Sequence, residues 1–247
     1  MTASMFLPGV PDEKVQAALA NAGGNEIGSG KFDSLESSAA LAVNAFGWFL
    51  ERASLLPPFP PLADLDWPAR QVSVERQMRF PWAGGRHPWL DAAVETDGHL
   101  IGVESKRFEP FRDTKTVNLS EAYDRDVWGD QMAPFANMRD QLRTSAVQYA
   151  HLDAAQLVKH AFGLVTEGRR IGKAPVLLYL YAEPARRGHL HISADSLKRH
   201  RQEIAEFAAM VAGAEVRFAA CSYREWFTVW GDQTVRHADA LIERYNP

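Results

Sequence analysis

The chain has one cysteine, Cys221, among 247 residues. That excludes an internal disulfide and any thiolate metal cluster within one chain. Cys221 falls in the strand-like RFAACSY, where a buried inert thiol is expected rather than a nucleophile. No apolar run approaches the length of a membrane span, and the N-terminal MTASMFLPGVPDEK lacks the basic-then-apolar layout of a signal peptide. A cytoplasmic location is the default expectation. Low-complexity tracts and internal repeats are missing, as are a Walker loop, a dinucleotide fingerprint and a serine-hydrolase elbow. Nor is there an excess of positive charge. With 27 Lys and Arg against 31 Asp and Glu the net charge is −4, so phosphate contacts would have to come from a local stripe. The basic clusters GRRIGK (168–173), ARRGHLH (185–191) and KRHR (198–201) read as solvated faces.

What is present reads as a loosely structured lead-in over 1–30, with at most a short helix, and one domain over 31–247. FDSLESSAALAVNAFGWFLERA places Ala39, Ala42, Val43, Phe46, Phe49 and Leu50 at helical spacing, and Asp33 with Glu36 has the spacing of a capping box. The proline-rich 55–68 predicts a connector over the surface. Strands are expected at 72–80 and in a hairpin over 90–108, followed by helices through 131–150 and 153–168. PVLLYLYAEP (175–184) has the continuous apolar run of a strand buried on both faces. A helix over 193–213, a strand over 215–227 and a helix over 234–245 complete the chain. The expected fold class is α/β, a mixed β-sheet flanked by helices on both faces, with a long crossover after the hairpin.

The hairpin LDAAVETDGHLIGVESKRF carries the chemistry. A two-residue turn at Asp97-Gly98, for which Asp-Gly readily supplies the positive φ angles, sets Thr96 against His99, Val94 against Ile101 and Asp91 against Glu104. Directly opposed carboxylates are destabilising, and Lys106 shares their face because strand side chains alternate. Two readings remain open on geometry alone. A three-residue loop would slide the acids apart, whereas a divalent cation would make the pair favourable.

Asp91, twelve intervening residues, then Glu104-Ser105-Lys106 on the following strand, after an initial helix, resembles the PD-(D/E)XK nuclease superfamily. Pro88 lies three residues before Asp91 rather than adjacent to it. RHPWLDAAVE, IGVESKRFEPF and AAQLVKHAFGL also resemble a restriction-endonuclease-like branch, so the likeness covers roughly residues 30–185. The resemblance implies a restriction-endonuclease-like core and metal-dependent hydrolysis of phosphodiester bonds in DNA. Asp91, Glu104 and the Ser105 carbonyl would hold Mg²⁺, with Mn²⁺ able to substitute, and Lys106 would assist the attacking water. Glu36 would be either a first-helix acid reaching the metal or a plain capping residue. Glu75 would supply another acid or, as the commoner case, an exposed edge charge.

On a helical wheel Gln156, Lys159, His160 and Gly163 fall in one arc of an otherwise apolar helix, which predicts a polar stripe facing water, a partner or a site. Gln156 and Lys159 resemble the Gln-bearing helix that borders some nuclease sites. His189 and His191 lack a third ligand for zinc. Trp82, Arg86, Trp89 and Trp128 suit either nucleic-acid contact or core packing. The competing function is a catalytically silent nucleic-acid-binding or assembly protein on the same fold, and a hydrolase of small phosphorylated substrates is a third. A protein partner or a homo-oligomer is compatible with either of the first two.

Overall fold

The computed structural model describes residues 5–22, 32, 34 and 36–247. Helix α1 (Asp12–Asn21) buries Val15 and Leu19. Helix α2 (Ser38–Gly47) starts where the Ser37 hydroxyl accepts the Ala40 N–H at 3.1 Å. Asp33, half of the expected capping box, lies outside the described residues. With Ser37 as the cap, Glu36 sits ahead of the helix and is released to other contacts. The connector over 55–68 is not a surface strap. Leu56, Phe59 and Leu62 are buried, and Phe59 packs 4.8 Å from the Trp226 ring, because apolar residues are interspersed with the prolines, which end in a 3-10 turn at Pro60–Leu62.

Strands β1 (Gln71–Gln77), β2 (Trp89–Glu95) and β3 (His99–Lys106) pair antiparallel. Helices α3 (Glu109–Arg112), α4 (Ala133–Arg143) and α5 (Ala154–Ile171) form the crossover to β4 (Ala174–Tyr181), which lies parallel to β3. Next come a two-stranded ribbon, β5 (Arg186–Arg187) and β6 (Leu190–His191), and helix α6 (Ala194–Met210). Strand β7 (Arg217–Ser222) is parallel to β4 and is followed by α7 (Tyr223–Phe227) and α8 (Val235–Tyr245). The main sheet therefore runs β1-β2-β3-β4-β7.

Two apolar clusters cover its faces. One gathers side chains of α1, α2, α7 and α8, and the other those of α4, α5 and α6. The mixed α/β architecture agrees with the expectation, and it is the arrangement of a restriction-endonuclease-like core. The last strand is shorter than predicted. At Ser222 a capping box takes over: the Ser222 hydroxyl accepts the Glu225 N–H at 3.1 Å, and Glu225 Oε2 accepts the Ser222 N–H at 2.7 Å.

Candidate active site

The β2–β3 register is the one counted from the sequence, with Glu95 opposite Leu100 and Ala92 opposite Val103. Asp91 and Glu104 lie one step past the last of these pairs. Beyond the last pair, the Ser105 N–H donates to Asp91 Oδ2 at 2.7 Å. The turn itself works differently from the expectation. Gly98 has no positive φ; instead the Asp66 carboxylate clamps the turn, accepting from Thr96 Oγ1 at 2.6 Å and from the Gly98 N–H at 2.5 Å.

On the other side of β2, Val74 pairs with Ala92 and Arg76 with Leu90, which leaves Glu75 and Asp91 facing each other at an interruption. Glu75 has φ +50°, a left-handed conformation that costs a non-glycine residue about 1–3 kcal/mol. There the strand faces exchange. Val72, Val74 and Ala92 belong to the α2-side cluster, whereas Met78 and Leu90 belong to the α5-side cluster. Asp91 is the residue at that exchange, half-buried and turned to a cleft of about 1000 Å³. Glu75, Gln77 and Trp89 line it with Asp91, as do Glu36, Ser38, Glu109 and Arg112. Glu75 is half-buried in this cleft rather than an exposed edge charge.

Glu104 is 2% exposed and sits between two cations or potential cations. The Lys106 ammonium pairs with its Oε1, and His160 Nδ1 on α5 lies 3.0 Å from its Oε2, at an angle short of a full hydrogen bond. Burial opposes ionisation of Glu104, yet Lys106 and His160 outweigh it and lower its pKa to about 2. Burial likewise opposes the charge on Lys106, but Glu104 and Asp91 prevail and raise its pKa. Asp91 behaves oppositely. Burial first and the Glu104 charge second push its pKa well above the usual carboxylate value, with Lys106 only partly offsetting them. One acid of the pair is held charged and the other is held towards its protonated form, as expected when two carboxylates share a site.

The remaining expected residues divide. Glu36 lines the cleft and accepts from Arg187 Nε at 2.8 Å. Gln156 and Lys159 are half-buried, and among the described residues no hydrogen bond or ion pair joins them to Asp91, Glu104 or Lys106. Burial lowers the pKa of Lys159. Of the predicted polar stripe, His160 faces the site, buried against Glu104, and Gly163 is pressed against Met78 and Pro88. Trp128 is core, stacked on Phe162 at 4.3 Å, and Trp82 packs on Phe80 at 4.8 Å with Arg125 above it. Arg86 and Trp89 line the cleft. His189 lies in the ribbon turn and His191 is exposed. Cys221 is buried and its thiol pKa is pushed up to about 12, so it is inert.

Sequence reasoning missed three contributors. His160 as the neighbour of Glu104 was visible only as a member of an arc. Glu109, bonded to the Ser38 hydroxyl and the Arg107 N–H, falls inside the EPF that follows the Glu-Ser-Lys step. Asp66 left no sequence signal at all.

Among the described residues no group of three or more His, Cys, Asp or Glu is arranged to hold a metal ion. Two carboxylates beside one another still fit a hard divalent cation that keeps several waters and takes its other ligands from backbone or substrate phosphate. The fit rests on the donor chemistry: an unfavourable pair of acids, one resisting ionisation, becomes favourable around a cation. No described helix is long and apolar enough to cross a membrane.

No curated protein and no solved structure matches the chain. The model of one family, described as restriction endonuclease associating with ARP, matches residues 5–246. The match takes in both core faces and every residue of the Asp91–Glu104–Lys106 cluster. The chain accordingly belongs to this restriction-endonuclease-like family.

Proposed function

We propose that the cleft is the active site of a divalent-metal-dependent nuclease of the PD-(D/E)XK type, which hydrolyses phosphodiester bonds in DNA. The observation that carries this reading is that Asp91, which lines the cleft, feels the charge of Glu104 on the adjacent strand, a buried acid paired with Lys106. Mg²⁺ or Mn²⁺, when bound, lowers the pKa of water and offsets charge on the phosphorane-like transition state. Asp91, Glu104 and the Ser105 carbonyl are the groups that would hold it.

The chain's own residues supply the rest. The Ser105 N–H fixes the Asp91 carboxylate, while Lys106 and His160 fix the Glu104 carboxylate from two sides. On this reading the Lys106 ammonium turns from Glu104 towards the attacking water and the phosphate oxygens, whose growing negative charge it stabilises. Glu36 and Glu75, which both line the cleft, add acidic groups within the same space. The family description also supports a protein partner.

A second reading, a silent binding protein, draws support from the closed Glu104–Lys106 ion pair. Cleavage separates the two. The full chain should cut DNA with Mg²⁺ or Mn²⁺, and Asp91→Ala or Glu104→Ala should abolish cutting with the fold retained. Lys106→Ala should reduce kcat more than it weakens metal binding. DNA retained in a salt-sensitive complex but never cut, with every strand type tried, would select the silent reading.

A further inference from the structure

The basic stretch ARRGHLH has no part in the proposed catalysis, and the structure gives it a shape. It forms the β5–β6 ribbon, with Arg186 opposite His191 and Arg187 opposite Leu190. The loop is Gly188-His189. Only Gly188 has positive φ, +56°, the pattern of a two-residue hairpin turn led by glycine. The base is anchored, because Ile192 is buried and its N–H donates to the Ala185 carbonyl at 3.0 Å.

Two features single the ribbon out. Arg187 Nε donates to Glu36 Oε2 at 2.8 Å, and Glu36 lines the candidate active-site cleft, so the ribbon stands at the cleft rim. Leu190 is 67% exposed, the most exposed large hydrophobic side chain among the described residues, and Arg186, His189 and His191 of the same ribbon are exposed too. The stretch contains no acid. An exposed apolar side chain on a ribbon that also carries the exposed Arg186 guanidinium suits a polyanion that has apolar edges.

The geometry points to the β5–β6 ribbon as a duplex-DNA contact that guides the strand into the cleft, with Arg186 on a phosphate and Leu190 against sugar and base edges in a groove. A two-stranded ribbon is among the shapes that a DNA groove admits, and apolar side chains flanked by arginines wedge there. Arg187 acts as a positioning residue that fixes the ribbon to Glu36. This assignment rests on the nuclease reading above, since it is the cleft that makes a guide useful.

The test is binding of a short fluorescent duplex to the full chain in EDTA across a salt series, with cleavage in Mg²⁺ measured in parallel. Arg186→Ala should weaken binding equally across sequences and lower the slope of log K against log salt by about 0.9, one phosphate contact. Leu190→Ala should weaken binding and leave the slope unchanged. Asp91→Asn should keep the wild-type slope while losing cleavage. If both ribbon variants bind like wild type while Asp91→Asn fails to cut, the ribbon assignment falls and the nuclease reading stands. If the ribbon variants lose duplex binding while Asp91→Asn still cuts, the ribbon stands and the Asp91 assignment falls. Ribbon variants that lose only a protein partner, with duplex binding intact, overturn the assignment as well.

Discussion

Gly163→Ala should destabilise the protein although alanine is the better helix former. A Cβ at this position in α5 would lie 2.8 Å from Met78 Cβ, 2.8 Å from Pro88 Cγ and 3.3 Å from the Met78 carbonyl oxygen. None of these is the loose end of a flexible side chain. A proline ring, a Cβ and a backbone oxygen move only if β1 and the β1–β2 connection move with them. Overpacking of this kind costs about 3 kcal/mol at the upper end of its range. Alanine recovers about 1 kcal/mol of helix propensity, which leaves a net loss of about 2 kcal/mol. For a chain of this length that is a fall in Tm of roughly 4–8 °C. Thermal unfolding followed by circular dichroism measures it. His160 lies one turn away on the same face, so α5 would carry it away from Glu104, and DNA cleavage should fall as well. An unchanged or raised Tm would refute the close approach of α5 to the β1–β2 connection at Met78 and Pro88.

Two further outcomes follow from buried carboxylates. His160→Ala leaves Glu104 Oε2 in a dry site without its neighbour and should cost about 1–3 kcal/mol in urea denaturation, while slowing cleavage more than it weakens DNA binding. Glu203 is fully buried and accepts the N–H groups of Ala150 and His151 at 2.8 Å each and of Leu152 at 2.9 Å. Burial opposes its charge, but these bonds and Arg199 win, so its folded pKa is below the ordinary 4.5. Its contribution is therefore fully present above about pH 4.5 and is lost as pH falls through the lower folded value. Urea midpoints measured from neutral pH down into the acid range should show that loss in wild type and a flatter acid limb in Glu203→Gln. Equal slopes in the two proteins would remove Glu203 as its source.

Much of the frame was legible because it is periodic. The unbroken apolar run of β4, the stripe of α2 and the alternation that pairs β2 with β3 follow from side-chain direction alone, and the closeness of Asp91 to Glu104 came with that register. The reason assigned to the turn was nevertheless wrong, because Asp66 reaches it from outside the hairpin and no local signal marks that contact. The exchange of faces at Glu75 was hidden for a similar reason. Local propensity disfavours positive φ at glutamate, and the surrounding pairs hold it there. The contact of His160 with Glu104 depends on how α5 crosses the sheet. From sequence, the arc of Gln156, Lys159, His160 and Gly163 read as facing water, a partner or a site, and periodicity could not say that His160 meets Glu104 while Gly163 presses on Met78 and Pro88. By contrast, the end of β7 was readable: Ser222 and Glu225 carry a capping box in plain sight, but the apolar residues that continue past it favour a longer strand.

In the proposed site Asp91 and Glu104 jointly hold one cation. Crystals of the full chain soaked in Mn²⁺ and measured at the manganese absorption edge test that most directly. An anomalous peak between the two carboxylates, absent from Asp91→Ala crystals treated in the same way, is the result expected. No peak there, with the Glu104–Lys106 pair still closed at saturating Mn²⁺, would contradict it.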